Sequence, residues 1–531
     1  MLTMICCAAI AVLTGSESSA QSFHVTRITV EPGEYWWGGA VGLGSKMPYV
    51  QPLREYDLAT QNSNNQVAPL LLSSKGRYAW SDYPFSFSVE ERAIVIRSPH
   101  EEVAVRHPGK TLREAYLAAS AAHFPPTGAL PDTLFFTMPQ YNTWIELIYN
   151  QNQDDILRYA RDIIDRGFPP GVLMIDDNWQ KYYGNFEFKP DRFSNPKGMV
   201  DTLHALGFKV MLWLCPFVSP DSPEYRLLSA KGFLVKQRGR NVPAVIPWWN
   251  GQSACFDLTN PDAAEYLIAE LTRLQTEYGV DGFKFDAGDN SFYPTARVEG
   301  YAKDALSVDH TLAWTKIGLS FTFNEFRAAW KMGGEALVQR LGDKSYSWTA
   351  GVQLLIPDMT AAGLLGHAYT CPDMIGGGQY GSFIHQDLST FDQTLFIRSA
   401  QVHALMPMMQ FSVSPWRILS RENVEIVRRA ARLHEEMGGY ILDCARSSSR
   451  TGEPIVRHME YAFPGEGFAT CHDQFMLGER YMVAPVVTKE NRRTVKFPRG
   501  KWRDERGKIY RGGKTETIDV PLDRLPYFEK L

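Results

Sequence analysis

The sequence predicts an α/β fold, a (β/α)8 TIM barrel flanked by an N-terminal β-sandwich and a C-terminal β domain. Strand-like and helix-like segments alternate from about residue 126, which is typical of parallel strands covered by helices. Stretches before and after this region are rich in strands and lack a helical period. The 531 residues are also too many for one ordinary core. We therefore divide the chain into a signal peptide (1–20), the sandwich (21–125), the barrel (126–440) and the last domain (441–531).

Residues 1–20 have the pattern of an export signal. Met1–Leu13 is an apolar stretch of roughly a dozen residues, within the ~7–15 of a signal peptide and too short for a membrane span. Ser18-Ser19-Ala20 supplies small residues for cleavage before Gln21, although no Lys or Arg precedes the apolar stretch. We expect export to the periplasm or the extracellular space and no membrane span. The alternative is an unusual buried N-terminal segment.

The composition is that of a globular protein, with 44% hydrophobic and 12% aromatic residues. A formal net charge of −4 and the absence of a basic stripe argue against nucleic acid as a partner. Cys6 and Cys7 lie in the predicted signal. The five remaining cysteines are widely spaced, which fits neither a disulfide framework nor a zinc site. They leave room for one bridge, which the sequence does not pair.

The N-terminal region alternates like strands at His24–Val30, Phe85–Val89 and Ala93–Arg97, which predicts a sandwich. Tyr35–Gly39 places two tryptophans on a predicted Gly-rich loop. This loop is either a plug between domains or the wall of a binding pocket. A helix around Thr111–Ala121, followed by a Pro-rich segment, forms a linker.

The barrel region repeats the strand–helix unit, because periodic apolar runs are bounded by Gly and Pro. The first predicted elements are the strand Leu134–Met138, the helix Asp154–Arg166, the strand Gly171–Ile175, the helix Met199–Leu206, the strand Lys209–Leu214, the helix Ala263–Tyr278 and the strand Asp281–Phe285. Less regular strands follow at Leu337–Leu341, Tyr369–Pro372 and Leu405–Met409. Beyond Tyr440 we predict a return to strands, at Tyr481–Val487, Arg493–Phe497 and Val520–Phe528.

The stretch Val280–Asp289 holds the candidate nucleophile. Phe283 and Phe285 alternate with Lys284, and the run then stops at Asp286. A buried strand that ends in a carboxylate is how a barrel presents catalytic groups at its C-terminal mouth. The alternative is an aspartate that caps the next helix.

Further acids follow other predicted strands, and tryptophans lie near them in the sequence. Paired carboxylates with aromatic platforms are the chemistry of glycoside cleavage, in which one acid protonates the leaving oxygen and the other attacks or activates water. A metal-dependent hydrolase is the alternative, but no His pair lies near these acids, which argues against a metal. The acids are Asp176, Asp177, Asp286, Asp343 and Asp373.

The chain resembles glycoside hydrolase family 31 over nearly the whole mature sequence. The segments that carry the resemblance are Val172–Trp179 with Phe188–Phe193 (the second strand of the family), Val210–Val218 (the third strand), Asp281–Asp289 (the nucleophile strand), and Phe475–Gly478 with Val483–Val486 (the start of the C-terminal β domain).

Three segments are most similar to the α-galactosidase branch of this family: Trp248–Gly251, Pro372–Gly377, and Met406–Ser412 with the following Pro-Trp pair. Many α-glucosidases of the family carry Arg-x-His near the last segment, where this chain has Gln410-Phe411-Ser412. Sulfoquinovosidases share the Phe-Lys-Phe-Asp-Ala-Gly motif, but we do not find their basic sulfonate-binding set.

The resemblance implies a role for each candidate residue. Asp286 matches the nucleophile and Asp343 matches the acid/base, although the residues around Asp343 depart from the family pattern. Asp343 has the alternative of a salt bridge to a neighbouring Arg or Lys. Arg327 matches an arginine that binds sugar hydroxyls, with a surface position on an amphipathic helix as its alternative. Trp249 matches an aromatic residue that shapes the glycone subsite.

Four more residues complete the predicted set. Asp176 and Asp177 match the glycone-binding acids, of which we expect only one to touch sugar, the other capping a helix. Lys284 either lowers the pKa of the nucleophile or contacts a hydroxyl. Asp373 either binds substrate or structures the loop before Gly376-Gly377.

The sequence therefore predicts a retaining exo-α-glycosidase, an α-galactosidase, that acts on an oligosaccharide or glycoconjugate. The nucleophile must be ionised while the acid/base holds a proton. An α-glucosidase, α-xylosidase or α-N-acetylgalactosaminidase is the alternative within the family. A catalytically silent carbohydrate-binding protein is the alternative of another class. No cofactor and no metal is implied, and the oligomeric state stays open.

Overall fold

The structure, a computed structural model, describes residues 22–60, 66–384 and 390–531. The predicted signal peptide lies outside the described residues. Within them, no helix is both long and apolar enough to cross a membrane. The five cysteines of the described chain all carry free thiols. In the same residues, no group of three or more His, Cys, Asp or Glu side chains is arranged to hold a metal ion.

Eight parallel strands form a closed barrel, which confirms the predicted fold class. Each of the first seven strands pairs with its neighbour along the chain, and the eighth pairs with the first. A parallel bridge between Met374 and Gln410 joins the end of the seventh strand to the eighth. In chain order, barrel strands 1 to 8 are Gln140–Asn142, Val172–Ile175, Lys209–Leu214, Gly282–Phe285, Phe323–Phe326, Gln339–Arg340, Thr370–Cys371 and Gln410–Phe411.

Helices cover the barrel, and local capping explains where several of them begin. Asn152, Asn195 and Asn260 each accept a backbone N–H of the first helical turn. Proline follows Asn195 and Asn260 at a position where its missing N–H costs nothing. Gly279, in the left-handed conformation, ends the helix that begins after Asn260. The longer helices are Gln153–Asp165, Pro196–Ala205, Pro261–Tyr278, Ser307–Ile317, Gln353–Leu364, Gln393–Ala404 and Arg421–Thr451.

The residues before the barrel form two sheets, as the sequence predicts, and the helix Leu112–His123 leads from them into the barrel. One of the sheets also includes the barrel segment Ala329–Trp330. Trp36 and Trp37 lie on a strand, not on a loop, and each is only 1% exposed. The Trp37 ring contacts that of His458 at 5.5 Å, which favours the plug between domains over the pocket wall. One sheet contains His24–Thr29, Leu53–Asp57, Ser86–Glu90 and Ala93–Ser98, and the other Trp36–Ala40, Gln66–Ser73, Tyr78–Trp80, Ala104–Arg106 and Ala329–Trp330.

The C-terminal part consists of antiparallel strands around a core of its own. A buried arginine, Arg398 of a barrel helix, donates to the carbonyl oxygens of Val520 and Arg524 and so joins the two parts. The strands are Val456–Arg457, Phe475–Leu477, Tyr481–Val483, Arg492–Phe497, Lys501–Asp504, Ile509–Arg511, Lys514–Asp519 and Tyr527–Lys530.

Several predicted elements need correction. Leu134–Thr137 is a helix, because the Asp132 side chain accepts the N–H of Leu134 and Pro139 then ends the turn. The last barrel strand is Gln410–Phe411, since Pro407 interrupts the predicted strand Leu405–Met409. The helix that begins at Arg421 continues to Thr451, across the predicted boundary at residue 440, and stops at Gly452 in the left-handed conformation.

Candidate active site

A cavity of about 530 Å³ lies at the carboxyl ends of the barrel strands, where barrel enzymes carry their active sites. Seven of the eight predicted site residues line it; Asp373 does not. A larger cavity of about 770 Å³, between the N-terminal sheet and the barrel, contains none of them, so we place the chemistry in the smaller one. Its lining consists of Trp144, Tyr149, Asp176, Asp177, Trp213, Trp249, Lys284, Asp286, Arg327, Arg340, Asp343, Met374 and residues 378–381.

Asp286 directly follows strand 4, and its carboxylate is held from two sides. The indole Nε1 of Trp213 donates to Oδ2 at 2.8 Å, and the N–H of Ala287 donates to Oδ1 at 2.9 Å. Burial alone would raise the pKa of Asp286, but the nearby charges of Arg327 and Lys284 lower it below its ordinary value. Asp286 is therefore ionised at neutral pH, as a nucleophile requires.

Asp343 follows strand 6 and faces the same cavity, with its side chain 33% exposed. Nη1 of Arg340 donates to Oδ1 of Asp343 at 2.7 Å, so the ion pair that we considered as an alternative is present. Burial raises the pKa of Asp343, but the charge of Arg340 outweighs it and leaves the value at about 2. A general acid needs a raised pKa, so the prediction that Asp343 holds a proton is not met while Arg340 is bound to it.

Asp373 lies behind the cavity wall and is fully buried. The same Nη1 of Arg340 donates to its Oδ1 at 2.9 Å, and the N–H groups of Lys344 and Gly378 donate to its Oδ2. Burial raises the pKa of Asp373 to about 6. The structure thus favours the second role considered for Asp373, which is to fix the loop. Because burial raises the pKa of Asp373 while Arg340 lowers that of Asp343, a proton on this pair of acids resides on Asp373.

Asp176 and Lys284 form a buried ion pair in the wall of the cavity. Nζ of Lys284 donates to Oδ2 of Asp176 at 2.6 Å, and the two side chains are 3% and 4% exposed. Although burial favours the neutral amine, the charge of Asp176 raises the pKa of Lys284. Lys284 therefore stays protonated and helps to lower the pKa of Asp286, the first of its two predicted roles.

Asp177 is held by residues of two different loops. The hydroxyl of Tyr183 donates to both carboxylate oxygens, at 3.1 and 3.2 Å, and Nδ2 of Asn250 donates to Oδ2 at 2.7 Å. Burial and the neighbouring charge of Asp176 raise the pKa of Asp177 to about 7. Near neutral pH its carboxyl group can therefore donate to or accept from a sugar hydroxyl.

Trp249 and Arg327 form another side of the cavity. Trp249 lies at the tip of the hairpin Ile246–Cys255 and is 45% exposed. The guanidinium of Arg327 lies 4.7 Å from the centre of its ring, and Nε lies 3.2 Å from Oδ2 of Asp289. Arg327 follows strand 5 and is 13% exposed, so it is not on a surface helix.

Four residues that support this site were not among the predicted site residues: Arg340, Glu325, Tyr183 and Asn250. Glu325 is 1% exposed inside the barrel, where it accepts from Nε2 of Gln410 at 2.7 Å. Glu325 and Arg340 are charged residues of short strands that apolar residues flank, and that pattern was a usable signal. Tyr183 lies in a loop and carries no local signal, whereas Asn250 belongs to the segment Trp248–Gly251 that resembles the α-galactosidase branch.

Backbone strain concentrates around the cavity. Among the described non-glycine residues with positive φ, Asn178, Ala287 and Asp373 lie at or beside the strand-end acids, and Ile148 precedes the cavity residue Tyr149. Such conformations cost energy and persist where the surrounding structure fixes them, often at functional sites.

Known proteins share both parts of this architecture. The sequence model "Glycosyl hydrolases family 31 TIM-barrel domain" matches residues 136–443, and the family's C-terminal domain matches residues 452–530. The myogenesis-regulating glycosidase of Mus musculus is 32% identical over 415 residues, which cover 76% of this chain and 58% of that protein. An α-xylosidase of Emericella nidulans is 26% identical over 419 residues, covering 73% and 51%. The chain thus spans only 51–58% of the length of these relatives.

Solved structures show the same fold. A dextranase of Flavobacterium johnsoniae, complexed with glucose, superimposes with a TM-score of 0.84 at 21% identity, over 95% of this chain and 66% of that one. An α-xylosidase from a soil metagenome, complexed with xylose, gives 0.83 at 21% identity, over 95% and 79%. Since the family's barrel and C-terminal domains together match most of the sequence, the chain belongs to glycoside hydrolase family 31.

Proposed function

We propose that this protein is a retaining exo-α-glycosidase and that its substrates are terminal α-galactosides. The observation that carries the activity is the placement of Asp286 and Asp343 at the ends of two strands of one barrel, facing one cavity. Two carboxyl groups so arranged are what hydrolysis of a glycosidic bond requires. A catalytically silent binding protein would not need both.

In this mechanism Asp286 attacks the anomeric carbon and forms a glycosyl ester, while Asp343 gives its proton to the leaving oxygen. Asp343 then takes a proton from water, whose oxygen attacks the same carbon and frees Asp286. Arg327 and Lys284 keep Asp286 ionised between cycles. For this step Asp343 must gain a proton against the charge of Arg340, which lowers its pKa in the structure.

The preference for galactose is supported by the resemblance of three segments to the α-galactosidase branch, all of which reach the site. Trp249 lines the cavity and the adjacent Asn250 binds Asp177. Asp373 binds Arg340, while Gln410 donates to Glu325 in the barrel interior. An α-xylosidase is the second candidate, because two of the compared proteins carry that name.

The test is turnover of p-nitrophenyl α-D-galactoside, α-D-glucoside and α-D-xyloside by the purified protein. We expect galactoside hydrolysis, and a loss of more than about 10³-fold in Asp286→Asn, because an amide cannot act as the nucleophile. Asp304→Asn, at an exposed position, is the matched control. Turnover of glucoside or xyloside alone would refute the galactose assignment, and an active Asp286→Asn variant would refute the mechanism.

A further inference from the structure

A cavity of about 440 Å³, here called the arginine cavity, is lined by three arginines and by no acid. These exposed side chains are Arg238, Arg240 and Arg297. The floor between them is apolar and includes the buried Ile246 and Val298 and the ring of Phe292. Cations of one sign around an apolar floor favour a ligand that combines a negative charge with an apolar face.

The arginine cavity is a neighbour of the catalytic cavity. The strand Ile246–Trp248 contributes its first two residues to the arginine cavity, and the next residue, Trp249, lines the catalytic one. The ring of Phe292 lies 6.0 Å from that of Trp249. None of the candidate catalytic acids lines the arginine cavity, so the chemistry proposed above does not explain its charge.

Backbone pairing places two of the arginines side by side. The strands Lys236–Gln237 and Val298–Glu299 are antiparallel, and beyond them the N–H of Arg238 donates to the carbonyl oxygen of Arg297 at 2.9 Å. The two arginines are therefore directly opposite each other, where like charges repel. The next pair in the register is a lysine opposite a glutamate, which attract. An anion bound between the two guanidinium groups would remove the repulsion.

Arg238 is held in place by neutral groups. Its Nε donates to the carbonyl oxygen of Thr295, and its Nη2 donates to that of Val298 at 3.3 Å. These contacts orient the guanidinium without neutralising its charge. Glu299, the acid of the paired strand, accepts the N–H of Gly239 at 3.1 Å. Among the described residues, no carboxylate forms an ion pair with an arginine of this cavity.

We propose that the arginine cavity is a binding site, separate from the catalytic one, for a sulfate or phosphate ester carried by a sugar. Such an ester group presents three oxygens, which the N–H forks of several arginines can share, whereas a carboxylate has only two. The C–H face of the sugar that carries the group can pack on the apolar floor beside Phe292. Binding here does not depend on which sugar the catalytic cavity cleaves.

The test is isothermal titration calorimetry of the purified protein with N-acetylglucosamine, its 6-sulfate and its 6-phosphate at constant ionic strength. The three compounds share one ring, and the two esters distinguish sulfate from phosphate. We expect at least one ester to bind about tenfold more tightly than the parent sugar. In the Arg238→Met/Arg297→Met variant this preference should disappear, because methionine keeps an apolar side chain without the charge. Arg450→Met, exposed and outside the cavity lining, is the matched control.

A second variant guards against a structural effect of the double substitution. Arg240→Met leaves the opposed pair of arginines unchanged and should by itself lower the preference about threefold. Equal binding of the esters and the parent sugar by the unmodified protein would overturn the proposal. A preference that persists in the double variant would also overturn it, because the cations of the catalytic cavity would then hold the ester. Hydrolysis of p-nitrophenyl α-D-galactoside by the same preparation tests the proposed function separately.

Discussion

Replacing Arg327 with methionine is expected to move the acidic limb of the pH–activity profile to higher pH. Nη1 of Arg327 lies 3.6 Å from Oδ1 of Asp286, and the two side chains are 13% and 12% exposed. At an effective dielectric constant of about 20, unit charges at this distance attract by about 4–5 kcal/mol, or about 3 pKa units. Lys284 remains in the variant and water enters the space, so we expect a rise of about 1–2 units in the pKa of Asp286.

The direction of the shift follows from the sign of the perturbation. The pKa of Asp286 is lowered in the folded protein, so its carboxylate persists into acid and is lost only as the pH falls through that pKa. Removing a positive charge raises the pKa, and the variant loses its nucleophile at a higher pH. Arg327→Lys keeps the charge and should move the limb by less than about half a unit.

The assay is the pH dependence of kcat/KM for α-galactosyl fluoride, which reports the pKa values of groups in the free enzyme. Lost contacts between Arg327 and the sugar lower the curve at every pH, whereas a lost charge moves its limb. The two contributions are therefore separable in one experiment. A lower curve with an unmoved limb would refute the reasoning, because Arg327 would then bind sugar without controlling Asp286.

Two further predictions concern the support of the site. Lys284→Met leaves the buried carboxylate of Asp176 without its cation and should lower the free energy of unfolding, measured in urea, by about 3–5 kcal/mol. The Asp176→Asn/Lys284→Met double variant should recover part of this loss. No recovery would contradict the pairing of Lys284 with Asp176. In Gly378→Ala the new Cβ would lie 2.6 Å from Oδ1 of Asp343, so kcat should fall about 10²-fold. In Gly381→Ala the Cβ meets nothing within 4 Å, so equal losses in both variants would contradict this explanation.

The fold and the strand-end acids of the cavity were predictable because their signals are local. Strand 4 and its Asp286 stand within a few residues of one another, as do strand 2 and Asp176. In contrast, a short and mostly apolar run such as Leu134–Met138 fits a strand or a helical turn equally well. The helix Leu134–Thr137 was therefore mistaken for strand 1, which is the polar segment Gln140–Asn142.

The support of the acids was not predictable because it depends on residues far apart in the chain. Asn250 binds Asp177 across 73 positions, and Arg340 binds Asp373 across 33. Only the closure of the barrel brings these loops together, and no periodicity in the sequence encodes which loops meet. The same limit applies to the role of Asp373, whose carboxylate looks functional in sequence but points into the protein.

The charges that line the cavity indicate how buried carboxylates would serve the neutral substrate that we propose. Four acids face three cations, which leaves one negative charge in excess when every group is ionised. The raised pKa of Asp177, about 7, lets the site shed that excess near neutral pH. The cavity can then be close to neutral overall while its nucleophile stays ionised, which is what an uncharged sugar and a charged attacking group together require. The groups concerned are Asp176, Asp177, Asp286, Asp343, Lys284, Arg327 and Arg340.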